Sequence, residues 1–313
     1  MHRYMLKRTI SLLLTMLAVS LFSFVVVNAI PGEPAEVLTR HLFMGLEEAA
    51  PPDMVAEVSK RYDLDKSLLE QYIDWVGDVL HGDFGHSALY NRPVAYLIGN
   101  ALIPTLLLAA TAVLLSLLIG IPLGIYSALH RGKLSDWIVR IVTVFSISMP
   151  VFWIAVILIL CFSLSMGVTP VAGYGGPEYL LLPALALAIH SSASLARIMR
   201  TSLIETMNRP FITFAKAKGL PLRDIVVHHA LRNAMLPVIT VVGMSFGGLL
   251  AGAVVIETVF AWPGLGNLLV KAISARDVVL IESTLVVIVS LYLVVNYVVD
   301  LFYTLVDPRI RYE

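Results

Sequence analysis

The sequence has a single cysteine and few charged residues, and both shortages narrow what the chain can be. Cys161 has no second cysteine to pair with, so an intramolecular disulfide is excluded and the redox compartment stays open. Charged residues make up 14% of the 313 positions and their formal charges cancel, which gives no reason to expect nucleic acid as a partner. Hydrophobic residues make up 58%. That balance predicts an integral membrane protein.

Catalytic motifs are absent as well. The sequence holds no G-x-x-x-x-G-K-[ST] phosphate-binding loop, since Gly132-Lys133 lacks the residues that should precede it. It holds no H-E-x-x-H motif. His190, Cys161 and the scattered methionines lack the spacing of metal ligands. We therefore predict no catalytic residue, no resident metal and no cofactor in this chain.

Long apolar runs are what the sequence has instead. Each of six runs is long enough to cross a hydrocarbon core of about 30 Å. The first follows a basic start that resembles a signal peptide, but its length favours a retained span. Pro104, Pro122, Pro150, Pro183 and Pro237 fall in the second to fifth runs and predict kinks there. The predicted spans are 9–30, 101–129, 137–164, 180–196, 236–256 and 278–306.

The distribution of cations predicts the orientation of these spans. Six spans place both termini on one side of the membrane. With the termini in the cytoplasm, fifteen of the 22 Lys and Arg residues lie inside and seven outside, as the positive-inside rule requires. The predicted organisation is an N-terminal membrane helix at 1–30, an external segment at 31–98 with helices at 52–62 and 67–80, and a five-helix core at 99–313.

A basic loop at 197–235 stands out within that core. Seven Lys or Arg residues lie between Arg197 and Arg232, and burying them in a bilayer would cost on the order of 20 kcal/mol. Pro210 and Gly219 frame a short helix over 210–218. Phe211, Phe214, Ala215 and Lys218 share one of its faces. That face either enters a groove on another protein or folds back onto this chain, and the spacing alone does not choose.

Two further places are candidates for function. The segment from Glu257 to Gly266 combines an acid, aromatic residues and a Pro-Gly turn. It predicts either part of an external gate or a rigid loop with Trp262 anchored among lipid headgroups. His190 lies near the middle of the fourth span and is either a residue of the transport pathway or a buried histidine with its hydrogen bonds satisfied.

The basic loop also carries a resemblance. Residues Phe211-Ile-Thr-Phe-Ala-Lys-Ala-Lys-Gly-Leu-Pro221, followed by His229-Ala-Leu-Arg-Asn-Ala-Met-Leu-Pro237, resemble the cytoplasmic coupling motif of ABC importer permeases in the peptide and nickel branch. Thr213 and Arg232 stand where the wider family often has Glu and Pro, which is usual for this branch. Shorter matches in the same order cover nearly the whole chain: Ile30–Ala35, Gly82–Gly85, Ser148–Pro150, Glu257–Gly266, Arg276-Asp277 and Asp307–Arg309.

The resemblance implies an all-α permease of the MetI-like type I fold, with six membrane helices, in the inner membrane of a bacterium or archaeon. It implies partners: a second homologous permease, two ATP-binding cassette ATPases that bind ATP and magnesium, an external solute-binding protein, and lipid. Coupling to the ATPase would fall to Phe211, Phe214, Ala215, Lys218, Gly219 and Arg232, and the external gate to Glu257, Trp262, Pro263 and Gly264.

The cargo is open between two classes. The short outer connection at 166–183 resembles nickel permeases more than peptide permeases that carry a long insertion there, so we predict nickel or a metal chelate. Di- and oligopeptides are the alternative. A secondary transporter driven by an ion gradient is an alternative of another class, but it predicts membrane-embedded carboxylates and internal repeats, neither of which is clear in the sequence.

Overall fold

A computed structural model describes residues 2–28, 39, 51–61 and 65–306, and within these ranges the chain is almost entirely helical. The Ile30–Ala35 and Asp307–Arg309 matches lie outside the described residues. The helices are α1 His2–Asn28, α2 Pro52–Arg61, α3 Leu68–Leu80, α4 Val94–Leu129, α5 Leu134–Ser148, α6 Val151–Leu158, α7 Pro177–Met207, α8 Pro210–Ala217, α9 Leu222–Asp224, α10 Leu231–Val259, α11 Leu265–Ala275 and α12 Val278–Val306. Two-residue strands β1 His86–Ser87 and β2 Arg92–Pro93 pair antiparallel. Two π-helical segments, Ile159–Ser165 and Ile225–Ala230, extend α6 and precede α10.

Five helices of the described chain are long and apolar enough to cross a membrane, and the sixth predicted span is present only if a bent pair is counted as one. That pair is α5 with the helical stretch Val151–Ser165, and the two meet at 108°. The break falls at Pro150, as the sequence predicts. The 15 residues of α5 rise only about 22 Å, short of the hydrocarbon thickness. Pro183 and Pro237 instead lie inside continuous helices, α7 and α10.

The chain divides into two compact units, which are described separately: Met1–Thr105 with Pro263–Tyr297, and Leu106–Trp262 with Val298–Glu313. In the first unit the helices predicted at 52–62 and 67–80 are confirmed as α2 and α3. Ser67 caps α3, and its side chain exchanges hydrogen bonds with Glu70 in a capping box. Tyr72 of α3 packs edge-on against Phe24 of α1 at 5.4 Å and lies 2.8 Å from the Ser20 hydroxyl.

Helix α11 of the first unit was not predicted. Its apolar side, with Leu265 and Leu269, joins a core that includes Val94 of α4 and Leu280 of α12. The buried carboxylate of Asp277, between α11 and α12, accepts hydrogen bonds from the Ser87 hydroxyl at 2.6 Å and the Leu89 amide at 3.0 Å. One carboxylate thereby joins the β-hairpin to the start of α12.

In the second unit, α7 is the central helix. An added Cβ on Gly120 of α4 would lie 2.7 Å from the Ser192 carbonyl oxygen of α7, and one on Gly124 would lie 2.6 Å from the Ala196 oxygen. Only glycine permits so close an approach of two backbones. On another side, the Ser202 hydroxyl of α7 donates to the Ala234 carbonyl of α10 at 2.9 Å. Both contacts are buried, so α7 is held tightly to α4 and α10.

Candidate functional site

The predicted short helix of the basic loop is confirmed as α8. Pro210 occupies its first turn, and the helix ends at Ala217 with Lys218 as its C-cap. Gly219 follows with a φ of 76°, the left-handed conformation that glycine adopts without steric cost. Pro221 then begins the next segment as the N-cap of α9. Proline at the start and glycine at the end therefore set the length of α8 as the sequence indicates.

The outward face of α8 is aromatic. Phe211 is 42% exposed and Phe214 is 63% exposed. The Lys218 ammonium lies 4.7 Å from the centroid of the Phe214 ring, a distance suited to a cation–π contact. The alternative that both phenylalanines fold back onto this chain is not what the structure shows. They form a small apolar surface bordered by positive charge, which we call the aromatic face of α8.

The inward face of α8 corrects one prediction. Ala215 was placed with the phenylalanines, but it is only 5% exposed, and Ile212 is completely buried. Three residues of α-helix turn through about 300°, so Ile212 and Ala215 share a side that turns toward the protein. Ile212 was missed, although an isoleucine three positions before a small residue is a signal for a buried helix face.

The inward face of α8 enters a core built from its neighbours. Ile212 and Ala215 pack in a cluster with residues of α7, of the π-helical segment before α10 and of α10 itself: Leu195, Met199, Leu203, Ile225, Ala230, Ala234 and Val238. Burial of this kind contributes about 25 cal/mol per Å² of apolar surface. The helix is therefore fixed to α7 and α10, while Arg232, the last predicted coupling residue, is exposed at the start of α10.

The segment from Glu257 to Trp262, which we call the outer segment after its predicted position, buries its acidic and aromatic side chains. Trp262 is 1% exposed and Glu257 is 0% exposed. The Trp262 ring meets Tyr174 edge-on at 4.8 Å, and the Gly173 amide donates to the Phe260 carbonyl at 2.8 Å. Trp262 is thus packed in the apolar core of the second unit, and the alternative that it anchors among lipid headgroups is wrong because its indole ring is enclosed by protein.

Pro263 and Gly264 follow directly and begin the first unit's second stretch. Pro263 is exposed, and Gly264 is the N-cap of α11 in an extended conformation. The Leu265 amide, one of the first N–H groups of that helix, donates to the Thr105 hydroxyl at 2.8 Å. These residues form the start of α11, and their role at a gate stays a prediction.

His190 is half-buried in α7. Its Nδ1 atom is buried and has no hydrogen-bond partner among the described residues. The alternative of a satisfied buried histidine is therefore not supported, because an enclosed ring nitrogen without a partner carries a desolvation penalty. A role on the transport pathway stays a prediction.

One ionic contact was missed in the sequence. Asp136 of α5 is buried and receives the Arg200 side chain of α7 through two hydrogen bonds, Nε to Oδ1 at 2.7 Å and Nη2 to Oδ2 at 2.9 Å. The Ser127 hydroxyl and the Gly132 amide also donate to this carboxylate. In the sequence, Arg200 is one of the seven cations of the basic loop. Sixty-four residues separate the pair, and no local pattern links them.

Comparison with known proteins agrees with this architecture. The family described as "Binding-protein-dependent transport system inner membrane component" matches residues 120–312, and the family of its N-terminal part, "Binding-prot-dependent transport system membrane comp, N-term", matches residues 1–95. The chain is 36% identical to the di/tripeptide transport system permease protein DppB of Pseudomonas aeruginosa, and the match covers the full length of both chains. It is 35% identical, again over both full lengths, to the glutathione transport system permease protein GsiC of Salmonella choleraesuis.

A solved structure shares the fold. A chain of the MetNI methionine ABC transporter, in inward-facing conformations, aligns with a TM-score of 0.57 at 19% identity, and the alignment covers 68% of this chain and 97% of that one. The predicted MetI-like fold is confirmed. The family match and the full-length relatives establish that the chain belongs to the binding-protein-dependent inner membrane components, as a multi-pass permease subunit of an ABC importer of the peptide and nickel type.

Proposed function

We propose that the chain moves small peptides across the inner membrane, driven by ATP hydrolysis in separate subunits. The complex would contain a second homologous permease, two ATPases that hold ATP and magnesium, and an external solute-binding protein. The observation that carries the coupling role is the aromatic face of α8, which projects from a helix whose other side is buried. Family membership sets aside the alternative of an ion-gradient-driven transporter.

The choice of peptide rests on the relatives. Their names refer to di/tripeptides and to glutathione, itself a peptide. They favour the peptide alternative over the nickel or metal-chelate cargo that the short 166–183 connection suggested. The length of one outer loop is a weaker guide than identity over the entire chain. We therefore propose cargo of two or three amino acids, received from the binding protein.

The proposed coupling follows from the two faces of α8. Phe211 and Phe214 enter a cleft of the ATPase, where large aromatic side chains supply much of the binding energy of an interface. When the ATPases close, α8 moves with the cleft. Its inward residues Ile212 and Ala215 then carry the displacement into α7 and α10. Both chain termini lie on the same, cytoplasmic side as α8.

Uptake of a radiolabelled dipeptide by cells that express the complete transporter tests this proposal. Phe211→Ala with Phe214→Ala is expected to lower uptake at least tenfold, because truncation of central interface residues costs about 2 kcal/mol or more. The amount of permease in the membrane should not change, since both side chains are exposed. Phe152→Ala, which truncates a 45% exposed phenylalanine of α6, is the matched control.

Radioactive nickel is measured in parallel. If the parent takes up nickel but no dipeptide, and the double variant loses nickel uptake, the peptide cargo is wrong and the coupling role is kept. Full dipeptide uptake by the double variant would overturn the coupling role. Co-purification of the ATPase with the permease gives a second measure, and it should fall in the double variant only.

A further inference from the structure

A basic cavity of about 500 Å³ opens in the second unit between α5, α7 and the loop that joins α4 to α5. Its volume falls in the range of ligand pockets. Cations dominate its lining, which consists of Arg131, Gly132, Lys133, Asp136, Trp137, Arg140, Arg200, Thr201, Ile204 and Glu205. None of the residues proposed for coupling or gating lies in it.

Most of this positive charge is not neutralised within the described residues. Asp136 is fully engaged with Arg200, Ser127 and the Gly132 amide, so that pair contributes little net charge. Arg131, Lys133 and Arg140 make no ion pair within the described part of the chain. Glu205 is the other acid in the lining. The cavity therefore has an excess of cations that suits an anion, and guanidinium groups bind phosphate oxygens especially well.

An apolar groove along α5 shares the lining residue Arg140 with the cavity. Arg140 lines both spaces, and beyond it the groove of about 510 Å³ is formed by Ile141, Val144, Phe145 and Ser148. Trp137, Arg140 and Val144 follow helical spacing on one side of α5, in line with its N-cap residue Lys133. Along α5 the cationic residues are therefore followed by an indole ring and then by the apolar groove.

We propose that this composite site binds an anionic phospholipid, with the phosphate among Arg131, Lys133 and Arg140 and one acyl chain in the groove. A soluble phosphate would use only the basic end and leave the groove empty. Trp137, 53% exposed, would lie at the headgroup level that tryptophan favours.

The position within the unit supports a lipid of the cytoplasmic leaflet. Arg200 lies seven residues before the end of α7, about 10 Å along the helix axis. Helix α8 begins three residues after α7 ends. The site is therefore at the same end of α7 as the aromatic face, which the proposed orientation places in the cytoplasm. Anionic headgroups concentrate there, and basic pockets between membrane helices bind them.

The test measures lipid binding to the full chain in detergent by native mass spectrometry. Phosphatidylglycerol is compared with phosphatidylcholine of the same acyl chains, and with glycerol phosphate as the soluble headgroup. Arg131→Gln with Arg140→Gln is expected to weaken phosphatidylglycerol binding about 30-fold, at about 1 kcal/mol for each cation. Arg223→Gln with Lys271→Gln removes two exposed cations elsewhere and should change it less than twofold.

A second variant separates a lipid from a free phosphate. Val144→Gln with Phe145→Gln leaves the cations in place and makes the groove polar, so it should weaken phosphatidylglycerol and leave glycerol phosphate unaffected. Equal binding of both lipids by the parent chain would overturn the proposal. Glycerol phosphate that binds as tightly as the lipid would also overturn it. Loss of bound lipid when the second permease assembles would do the same, because the groove would then be a protein interface.

Discussion

Helix α8 and the outer segment from Glu257 to Trp262 are both short, aromatic connections in the same unit, yet they treat their aromatic residues in opposite ways. In α8 Ile212 and Ala215 are buried and the phenylalanines are exposed. In the outer segment Phe260 and Trp262 are buried. The aromatic face of α8 is available for another protein, whereas the aromatic rings of the outer segment stabilise this chain.

The difference has a physical origin in what lies opposite each segment. The outer segment contacts the loop before α7, where Tyr174 packs on Trp262 and the Gly173 amide donates a hydrogen bond to the Phe260 carbonyl. Helix α8 approaches α7 and α10 through Ile212 and Ala215, and small residues allow the closest approach between helices. Mutations of the exposed aromatic residues should therefore affect transport, and mutations of buried residues should lower the free energy of unfolding.

Replacing Trp262 should have the largest effect on stability. Trp262→Ala leaves a cavity in an apolar core and is expected to lower the free energy of unfolding by about 3–5 kcal/mol. Chemical unfolding of the purified chain in detergent measures it. Trp153→Ala is the control, because that indole is 55% exposed, and its loss should change the free energy by less than about 1 kcal/mol. Similar losses in both variants would contradict the assignment of Trp262 to the core.

Ala215→Glu should come next. The carboxylate would enter the core beneath α8 without a partner and is expected to cost about 3 kcal/mol, so transport would fail through displacement of α8. Thr213→Glu places the same side chain on an exposed position of the same helix and should cost less than about 0.5 kcal/mol. Unfolding and limited proteolysis of the loop distinguish the two. An Ala215→Glu chain as stable as the parent would show that Ala215 faces outward.

Gly219→Ala should have the smallest of the three effects. An added Cβ meets nothing within 4 Å, so the cost comes from the left-handed backbone alone, about 1–2 kcal/mol. Gly219→Asn is the matched variant, because asparagine tolerates this conformation, and it should retain more of the stability and of the dipeptide uptake. Equal losses in the alanine and asparagine variants would mean that the side chain, rather than the backbone angle, is the cause.

The sequence predicted helix positions better than it predicted helix faces. Long apolar runs, Pro210 and Gly219 mark element ends through local chemistry, so α8 and the membrane helices were expected close to where they lie. The burial of Ala215, the enclosure of Trp262 and the Asp136–Arg200 pair depend on residues far away in the chain. The amphipathic helix α11 was missed because its length falls below that of a span, and the 108° bend at Pro150 exceeds an ordinary proline kink.

The glycines of α4 have a mechanical consequence. At Gly120 and Gly124 no side chain of α4 separates its backbone from the Ser192 and Ala196 carbonyl oxygens of α7. Side chains at a helix interface can change rotamer and absorb a small displacement, but backbone in contact with backbone has no such compliance. A displacement of α7 at its α8 end would therefore carry this part of α4 with it, as one stiff lever, and little of the motion would be lost within the helix pair.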